Sequence, residues 1–319
     1  MQSSLPPALP SSLAAALDAA LQGVSRKDLA VRAQIQSTAY RGGGTSRPIV
    51  TGADALAYAL ARMPATFAAC TAVFARLAQA MPEFAPASLL DVGAGPGTAS
   101  WAAIAAWPGL GAVTMLDHNP ALRALAQRLA DGGPLAAARI AAGDAETGDG
   151  AELVVASYVL AELPEDRAAA LALKLWQRAG KALVLVEPGT PAGFGRIRAA
   201  RAALIEEGGM IAAPCTHDNA CPMAGNDWCH FSQRLPRTRD HMVLKDASVP
   251  FEDERYSYLA VTRAAPLLRG ARILSPPLTE KPGLTFKLCD GDGLRARFVA
   301  RRDKDAYRRA RRRSWGDLL

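Results

Sequence analysis

The sequence has few of the features that mark membrane-spanning or secreted proteins. Its 319 residues include no run of about eighteen apolar residues, the length that a transmembrane helix needs, so we expect no membrane span and no membrane partner. No basic cluster precedes the apolar stretch near the N-terminus, and the first arginine is Arg26. This predicts neither a signal peptide nor a mitochondrial presequence. The expected setting is a cytoplasmic compartment that keeps thiols reduced.

Cysteine is also scarce, and its placement is uneven. Cys70 lies beside two alanines in an apolar helical stretch, as an ordinary buried thiol does. The other four are candidate metal ligands, and three of them fall within fifteen residues, with prolines and histidines nearby: Cys215, Cys221, Cys229 and Cys289. In a protein with no sign of secretion, such a group indicates metal ligation more than disulfide bonding.

The spacing of these four cysteines bears on which metal they would bind. They contain no close Cys-x2-4-Cys pair, which zinc ribbons and zinc fingers use. A four-thiolate iron–sulfur cluster is larger than a zinc ion and accepts wider spacing. His217 and His230 lie nearby and can complete a zinc site. Both metals therefore stay open at this point.

The chain carries a net charge of +7, and much of it is concentrated near the C-terminus. The basic residues there are Arg301, Arg302, Lys304, Arg308, Arg309, Arg311, Arg312 and Arg313. A cluster of this kind suits contact with a phosphate backbone. The alternative is a solvated helix end, which is the commoner role of a charge run.

Four regions follow from the pattern of apolar residues. Residues 1–85 show three- and four-residue apolar spacing and are predicted to be helical. Within residues 86–207, short apolar strands alternate with helices, which indicates a parallel sheet covered on both faces. Residues 208–250, which hold three of the cysteines, have little periodicity, and a long irregular stretch needs something to order it. Residues 251–319 are predicted to contain further strands followed by the basic end.

A glycine loop follows the first predicted strand. It reads DVGAGPGT from Asp91 to Thr98, with glycines at Gly93, Gly95 and Gly97. Glycines let the backbone turn sharply after a strand and approach a ligand closely. The third glycine falls one position too early for a dinucleotide-binding G-x-G-x-x-G loop. Together with the acidic Asp91, this spacing favours S-adenosylmethionine, a cofactor that is cationic and has no pyrophosphate.

Two further acids end the next two predicted strands. Asp117 is placed to accept hydrogen bonds from ribose hydroxyls, and Asp144 lies near the expected adenine edge. A single acid at a strand end is often only solvated or a helix cap. Three acids at successive strand ends beside this loop instead predict a class I, Rossmann-like methyltransferase domain that binds S-adenosylmethionine.

The sequence does not identify catalytic residues. The segment after the fourth strand lacks the Pro-Pro pair of amino-methyltransferases, and Cys215 lies too far along the chain for a cytosine-C5 nucleophile. Tyr158 and Glu162 can serve in a pocket, although core packing and helix capping are their commoner roles. The reaction, if any, is left open.

Several stretches together resemble methyltransferase-like proteins associated with the small ribosomal subunit, a family of mitochondrial assembly factors and bacterial relatives. The resemblance covers about residues 40–319, and the stretch from Cys215 to Gln233 is its most specific part. The matching stretches are LLDVGAGPGTA at 89–99, VEPGTP at 186–191, PCTHD at 214–218 and WCHFSQ at 228–233, with RMPAT at 62–66, YRRAR at 307–311 and WGD at 315–317.

The resemblance implies a seven-stranded methyltransferase-like fold and a [4Fe–4S] cluster on Cys215, Cys221, Cys229 and Cys289. It also implies binding to small-subunit ribosomal RNA during assembly. In the family that the sequence resembles, methyl transfer itself is poorly established. Because the sequence shows no clear presequence, a bacterial cytoplasmic protein is expected before a mitochondrial matrix protein. We also expect a monomer when the protein is free.

Three hypotheses therefore stand. The first is an iron–sulfur protein that binds S-adenosylmethionine and acts on small-subunit ribosomal RNA as a methyltransferase, an assembly factor or both, with enzymatic activity favoured. The second is a non-catalytic assembly factor. The third is a zinc-containing methyltransferase for small molecules, which predicts a colourless protein without RNA affinity.

Overall fold

A computed structural model of the chain describes residues 8–41, 47–143, 148–267 and 270–319. Three helices open the described chain: α1 (Ser11–Ala20), α2 (Arg26–Arg41) and α3 (Gly52–Ala80). The Thr51 side chain accepts a hydrogen bond from the Asp54 backbone, and the Asp54 carboxylate accepts one from the Thr51 backbone. This capping box fixes where α3 begins.

The next part of the chain alternates strands and helices, as the apolar pattern predicts. The strands are β1 (Ser88–Val92), β2 (Ala112–Leu116), β3 (Arg139–Ala141), β4 (Ala151–Ser157) and β5 (Ala179–Pro188). The helices are α4 (Thr98–Ala106), α5 (Pro120–Ala130), α6 (Ala168–Arg178) and α7 (Pro191–Glu206). Pro120 and Pro191 occupy the first turns of α5 and α7, where their missing N–H groups cost nothing.

The remaining elements lie downstream of α7. They are β6 (Met210–Ala213), β7 (Phe231–Pro236), α8 (Arg239–Leu244), β8 (Phe251–Thr262), β9 (Arg272–Ile273), β10 (Leu278–Thr279), β11 (Gly283–Asp290), β12 (Gly293–Ala300) and α9 (Lys304–Ala310). Residues 208–250, which the sequence pattern suggests are irregular, thus contain two strands and a short helix. Strand β6 has only four residues and β7 carries Gln233 and Arg234 at its centre, so neither shows a clear apolar period.

The main sheet has the strand order of a class I methyltransferase. In the described part of the chain the order is β3-β2-β1-β4-β5-β8-β6, and β8 runs antiparallel to both of its neighbours. Strands β1 to β5 pair in parallel. The order reverses between β1 and β4, and ligands of such sheets bind at that switch point, at the carboxyl ends of the strands. The predicted α/β fold is confirmed.

Strand β8 is long enough to pair with two strands on one edge. Its C-terminal end pairs with β6, whereas its N-terminal half pairs with β7 from Phe231 opposite Tyr256 to Pro236 opposite Phe251. Strands β6 and β7 therefore continue one line along this edge. Residues 214–230, here named the cysteine loop, leave that line and return to it. The Ser257 hydroxyl lies in the gap and donates to the Cys229 carbonyl at 2.8 Å.

The C-terminal strands form a second, antiparallel sheet. Strand β11 pairs with β9, β10 and β12. One face of this sheet packs on α9 through a small apolar core: Ala271, Ile273, Leu284, Phe286, Leu288, Val299 and Ala310. Cys289 alternates with these residues along β11, so its side chain is on the opposite face, toward the cysteine loop.

The main sheet is covered on both sides. Helices α1 to α5 contribute to the large core on one face, and α6 and α7 contribute to the core on the other. Helix α3 is long and apolar enough to cross a membrane by length and composition alone, although its sequence contains no unbroken apolar run of that length. However, 72% of its most apolar eighteen-residue stretch is buried within the protein, so α3 is a core helix.

Candidate functional site

The glycine loop joins β1 to α4 at the switch point. Gly93, Gly95 and Gly97 have φ values of +65°, +55° and +85°, which glycine adopts far more readily than other residues. A Cβ atom on Gly93 would lie 2.5 Å from Cγ2 of Val159, and one on Gly97 would lie 2.9 Å from Sδ of Met115. At Gly93 and Gly97, both the backbone conformation and the close neighbours therefore require glycine.

Asp91 is fully buried at the end of β1. Its Oδ2 accepts hydrogen bonds from the Ser100 backbone at 3.0 Å and from the Ser100 hydroxyl at 2.8 Å. Its Oδ1 is buried and has no hydrogen-bond partner among the described residues. Burial raises the pKa of Asp91 to about 7. Asp91 therefore anchors α4 with one oxygen and leaves the other available.

Asp117 is nearly buried just after β2 and connects two loops. Its Oδ2 accepts from the Gly95 backbone and its Oδ1 from the Asn119 backbone, each at 2.7 Å. The Asn119 amide donates in turn to the Ile49 carbonyl at 2.8 Å, which ties the segment before α3 to this site. A carboxylate has about four acceptor positions, so Asp117 can still receive ribose hydroxyls. Asp144, the third predicted acid, lies outside the described residues.

A polar cluster that the sequence did not reveal lies beside the glycine loop. The Tyr158 hydroxyl donates to Glu254 Oε1 at 2.7 Å, and the Arg62 guanidinium forms an ion pair with the same oxygen at 2.9 Å. Tyr158 has a positive φ of 63°, unusual for a non-glycine residue, and the next residue is the Val159 that contacts Gly93. Glu162 lies in the one-turn helix that follows. The only sequence signal for Arg62 is its place in the resembling RMPAT stretch.

The four predicted metal ligands line one cavity. Cys215, Cys221 and Cys229 come from the cysteine loop and Cys289 comes from β11. The other lining residues are Phe194, Ile197, Arg198, Arg201, Pro214, Pro222, Met223, Phe231, Tyr258, Leu259, Arg272 and Leu274. All five cysteines are free thiols, and Cys70 is fully buried in α3, as its apolar surroundings suggest.

Burial dominates the electrostatics of this cavity. It raises the pKa of Cys215, Cys229 and Cys289, in the last case to about 12. Two arginines oppose this effect: Arg201 lowers the pKa of Cys215 and Cys289, and Arg272 lowers that of Cys215 and Cys229. The cavity therefore combines four thiols with two buried cations.

The two histidines considered as zinc ligands have different surroundings. His217 Nε2 lies 3.6 Å from the Cys289 sulfur. The His230 ring instead stacks on Trp228 at 5.1 Å and meets Trp315 edge-on at 5.0 Å. Within the described ranges, no three His, Cys, Asp or Glu side chains are grouped so that they could hold a metal ion.

The C-terminus folds back onto this region. Arg76 in α3 forms an ion pair with Asp317 at 2.8 Å, and Arg272 donates to the Gly316 carbonyl at 2.7 Å. Trp315 contacts His230 and Phe231. The eight basic residues from Arg301 to Arg313 are all exposed around α9. Residues 315–317, which follow the basic stretch, thus pack beside the cysteine loop.

Comparisons with known proteins relate the chain to a family of ribosomal proteins. The family profile described as "Mitochondrial small ribosomal subunit Rsm22" matches residues 52–319. The chain is 32% identical over 288 residues to "Ribosome assembly protein METTL17, mitochondrial" of Homo sapiens, covering 83% of this chain and 62% of that protein. It is 27% identical over 360 residues to "Rsm22-cox11 tandem protein 2, mitochondrial" of Schizosaccharomyces pombe, covering 92% of this chain and 46% of that protein. The chain thus spans less than two thirds of the length of either relative.

The similarity to solved structures is lower. Magnesium protoporphyrin IX methyltransferase from Synechocystis, with bound S-adenosylmethionine, is 16% identical with a TM-score of 0.43, and the match covers 83% of this chain and 100% of that one.

The relatives correct one expectation drawn from the sequence. The lack of an evident presequence predicts a bacterial cytoplasmic location, yet the relatives that match are mitochondrial proteins by name. The prediction of a cytoplasmic protein is therefore wrong, because the features of an N-terminal stretch are a weaker guide than similarity over most of the chain. The matched profile covers well over half of the sequence, and the chain belongs to the mitochondrial small ribosomal subunit Rsm22 family.

Proposed function

We propose that the protein acts in the assembly of the small ribosomal subunit, in mitochondria as its relatives' names indicate. The observation that carries this proposal is the family match over residues 52–319, which includes the methyltransferase-like sheet, the cysteine loop and the basic end together. One matching relative is named a ribosome assembly protein. Because the chain spans only part of its relatives, their role is extended to it as a proposal.

Ribosomal RNA is the proposed contact on the subunit. The exposed basic residues around α9 and the end of β12 form a dense positive surface on the second sheet. Arginines on such a surface neutralise phosphates and release counterions, which supplies most sequence-independent affinity for RNA. The folded-back C-terminus supports the idea, because it holds this surface against the rest of the protein.

S-adenosylmethionine is the proposed cofactor of the switch-point site. Gly93, Gly95 and Gly97 would allow close backbone approach, and Asp117 would accept the ribose hydroxyls. Asp91 would hold the loop, and its buried, unpartnered Oδ1 fits a site that awaits a donor. Asp144 keeps its proposed place near the adenine on sequence grounds alone. When bound, this cofactor supplies an electrophilic methyl group.

A [4Fe–4S] cluster is the proposed occupant of the cysteine cavity, with Cys215, Cys221, Cys229 and Cys289 as ligands. The chemistry of the donor set supports this proposal, because four thiols line one cavity together with two arginines that favour thiolates. Thiolate ligation of this kind is what iron–sulfur clusters use. When bound, the cluster would join the cysteine loop to β11 and so order that loop.

Sedimentation tests the assembly role. The purified full chain is mixed with immature mitochondrial small subunits, mature small subunits or large subunits and separated on a gradient. We expect it to co-sediment with the immature small subunits in preference to the other particles. Equal association with all three, or with none, would refute the proposal.

Methyl transfer is the second candidate function, and the geometry of the glycine loop favours it. Labelled S-adenosylmethionine is incubated with the protein and immature small subunits. Transfer of label to RNA would establish an enzyme. Binding of both cofactor and particle without transfer would instead support a non-catalytic assembly factor. Metal analysis after anaerobic purification separates either from the zinc-containing alternative, since only a cluster gives iron, sulfide and broad visible absorbance.

A further inference from the structure

Arg201 is a buried cation with an N–H group that has no hydrogen-bond partner among the described residues. It lies in α7, is only 4% exposed and lines the cysteine cavity. One guanidinium nitrogen donates to the His217 carbonyl at 2.8 Å, while its Nε is buried without a hydrogen-bond partner among the described residues. A buried charged group with an unused donor is costly unless a partner is supplied. Arg201 and Cys215 both line this cavity, and the positive charge of Arg201 lowers the pKa of the Cys215 thiol.

Arg272 shares the cavity but is engaged differently. It is also 4% exposed, and its Nε donates to the Pro214 carbonyl while another nitrogen donates to the Gly316 carbonyl, both at 2.7 Å. These two bonds connect the start of the cysteine loop to the C-terminus. Arg272 therefore holds two backbone segments together through its hydrogen bonds. Arg201, in contrast, has an Nε–H group without a hydrogen-bond partner among the described residues.

We propose that Arg201 is the electrostatic partner of the cluster: its guanidinium stabilises the negative charge of the thiolate-bound group and sets its reduction potential. The inference rests on the proposed function, since it requires the cluster on the four cysteines. A cluster held by thiolates gains a further negative charge when it takes up one electron. A fixed positive charge and an N–H donor at a ligand sulfur both stabilise that reduced form, and they are among the factors that set such potentials.

The helix that carries Arg201 also offers a matched control. Arg198 lies one turn earlier in α7 and lines the same cavity, but it donates to the Met223 carbonyl at 3.4 Å and its guanidinium lies 5.7 Å from the Phe194 ring centre. Changing Arg198 removes the same charge from the same helix without removing the donor beside Cys215.

The experiment compares the full chain with Arg201→Gln, Arg201→Lys and Arg198→Gln, all purified anaerobically. Iron and sulfide are measured first, and the midpoint potential is then found by titration with dithionite, which supplies the electron. We expect Arg201→Gln to keep its iron and sulfide and to shift to a more negative potential. Arg201→Lys should shift less, because it keeps the charge, and Arg198→Gln should stay close to the wild type.

The outcomes test the role of Arg201 separately from the presence of the cluster. A potential in Arg201→Gln equal to that of the wild type would overturn the role of Arg201 and leave the cluster standing. If Arg201→Gln cannot hold the cluster, retention by Arg201→Lys supports the role of the charge, whereas loss in both variants overturns it in favour of packing. A wild-type protein without iron and sulfide would refute the cluster, and the inference with it, before any variant is compared.

Discussion

Arg62 and Glu254 form an ion pair of 2.9 Å that joins helix α3 to strand β8 beside the glycine loop. The Tyr158 hydroxyl donates to the same carboxylate oxygen, so one acid holds groups from α3 and from the segment after β4. Val159, adjacent to Tyr158, contacts Gly93. The pair therefore fixes the wall of the proposed cofactor site as well as the packing of α3.

Replacing Glu254 with Gln should destabilise the fold. The Glu254 side chain is only 10% exposed, and its loss of charge leaves Arg62 without its partner. We expect a decrease of about 1–3 kcal/mol in the free energy of unfolding, measured by urea denaturation. The neighbouring Asp253→Asn is the control, because Asp253 pairs with Arg234 where both are largely exposed, and its effect should be much smaller. Equal effects of the two substitutions would contradict this role for Glu254.

Glu187 should make stability depend on pH. It is fully buried, its Oε1 accepts from the Leu160 backbone at 2.9 Å, and burial raises its pKa to about 8. Its pKa in the unfolded chain is about 4.3. Between these two pKa values the folded protein keeps Glu187 protonated, whereas the unfolded chain releases the proton. The contribution of protonated Glu187 to stability is therefore full below pH ~4 and is lost as the pH rises towards 8.

Glu187→Gln is the variant that tests this dependence, because the amide keeps an acceptor for Leu160 but cannot ionise. The variant should gain stability relative to the wild type between pH ~4 and 8, by up to about 1.4 kcal/mol per pH unit. Urea denaturation over this range measures the difference. A difference that is constant with pH would show that Glu187 has an ordinary pKa.

Asp117 is expected to control cofactor affinity. Asp117→Ala removes the acceptor of the Gly95 amide and the proposed acceptor of the ribose hydroxyls. Because hydrogen bonds to a charged group contribute about 1.5–3 kcal/mol, we expect the affinity for S-adenosylmethionine to fall at least about tenfold. Isothermal titration calorimetry measures it. Asp131→Ala, at the exposed end of α5, is the control and should bind as the wild type does.

Whether a helix or strand can be predicted from the sequence depends on its length and on the period of its apolar residues. The alternating strands and helices predicted within residues 86–207 are found, because strands β1, β2, β4 and β5 carry apolar runs. Strands β6 and β7 escape prediction because they are held by pairing with β8, a contact between distant residues that leaves no local period.

The same limit applies to the candidate sites. The glycine loop and the cysteines are local motifs or rare residues, so the sequence could point to them. Arg62 and Glu254 are 192 residues apart, and Arg201 meets Cys215 only because α7 packs beside the cysteine loop. Such contacts depend on tertiary packing, and the charge of each residue alone does not predict its partner.

The cluster should act as a staple for the cysteine loop. Cys221→Ser removes one proposed ligand, and metal binding of this kind also contributes folding free energy. We expect the variant to lose iron and to be cleaved faster by a protease within residues 208–250. Cys70→Ala is the matched control, since Cys70 is buried in α3 and should leave the iron content unchanged. Cleavage of Cys221→Ser at the wild-type rate would refute the staple.

The basic surface should determine how RNA binding depends on salt. The double substitution Arg308→Glu and Arg309→Glu places negative charge on the exposed end of α9. Each RNA phosphate that these arginines no longer neutralise should lower the slope of log affinity against log salt by about one, and affinity should fall for all RNA sequences alike. Filter binding to small-subunit RNA fragments at several salt concentrations measures both quantities.

The control for this double substitution changes net charge by the same amount at a different place. Arg128 in α5 and Arg139 in β3 are exposed, and β3 lies at the edge of the main sheet opposite to β6. Their double substitution to Glu lowers net charge equally, so it tests whether total charge or local contact governs binding. If the slope falls equally in both double variants, the α9 surface is not the contact. If it falls only in the α9 variant, RNA phosphates bind at the basic surface around α9.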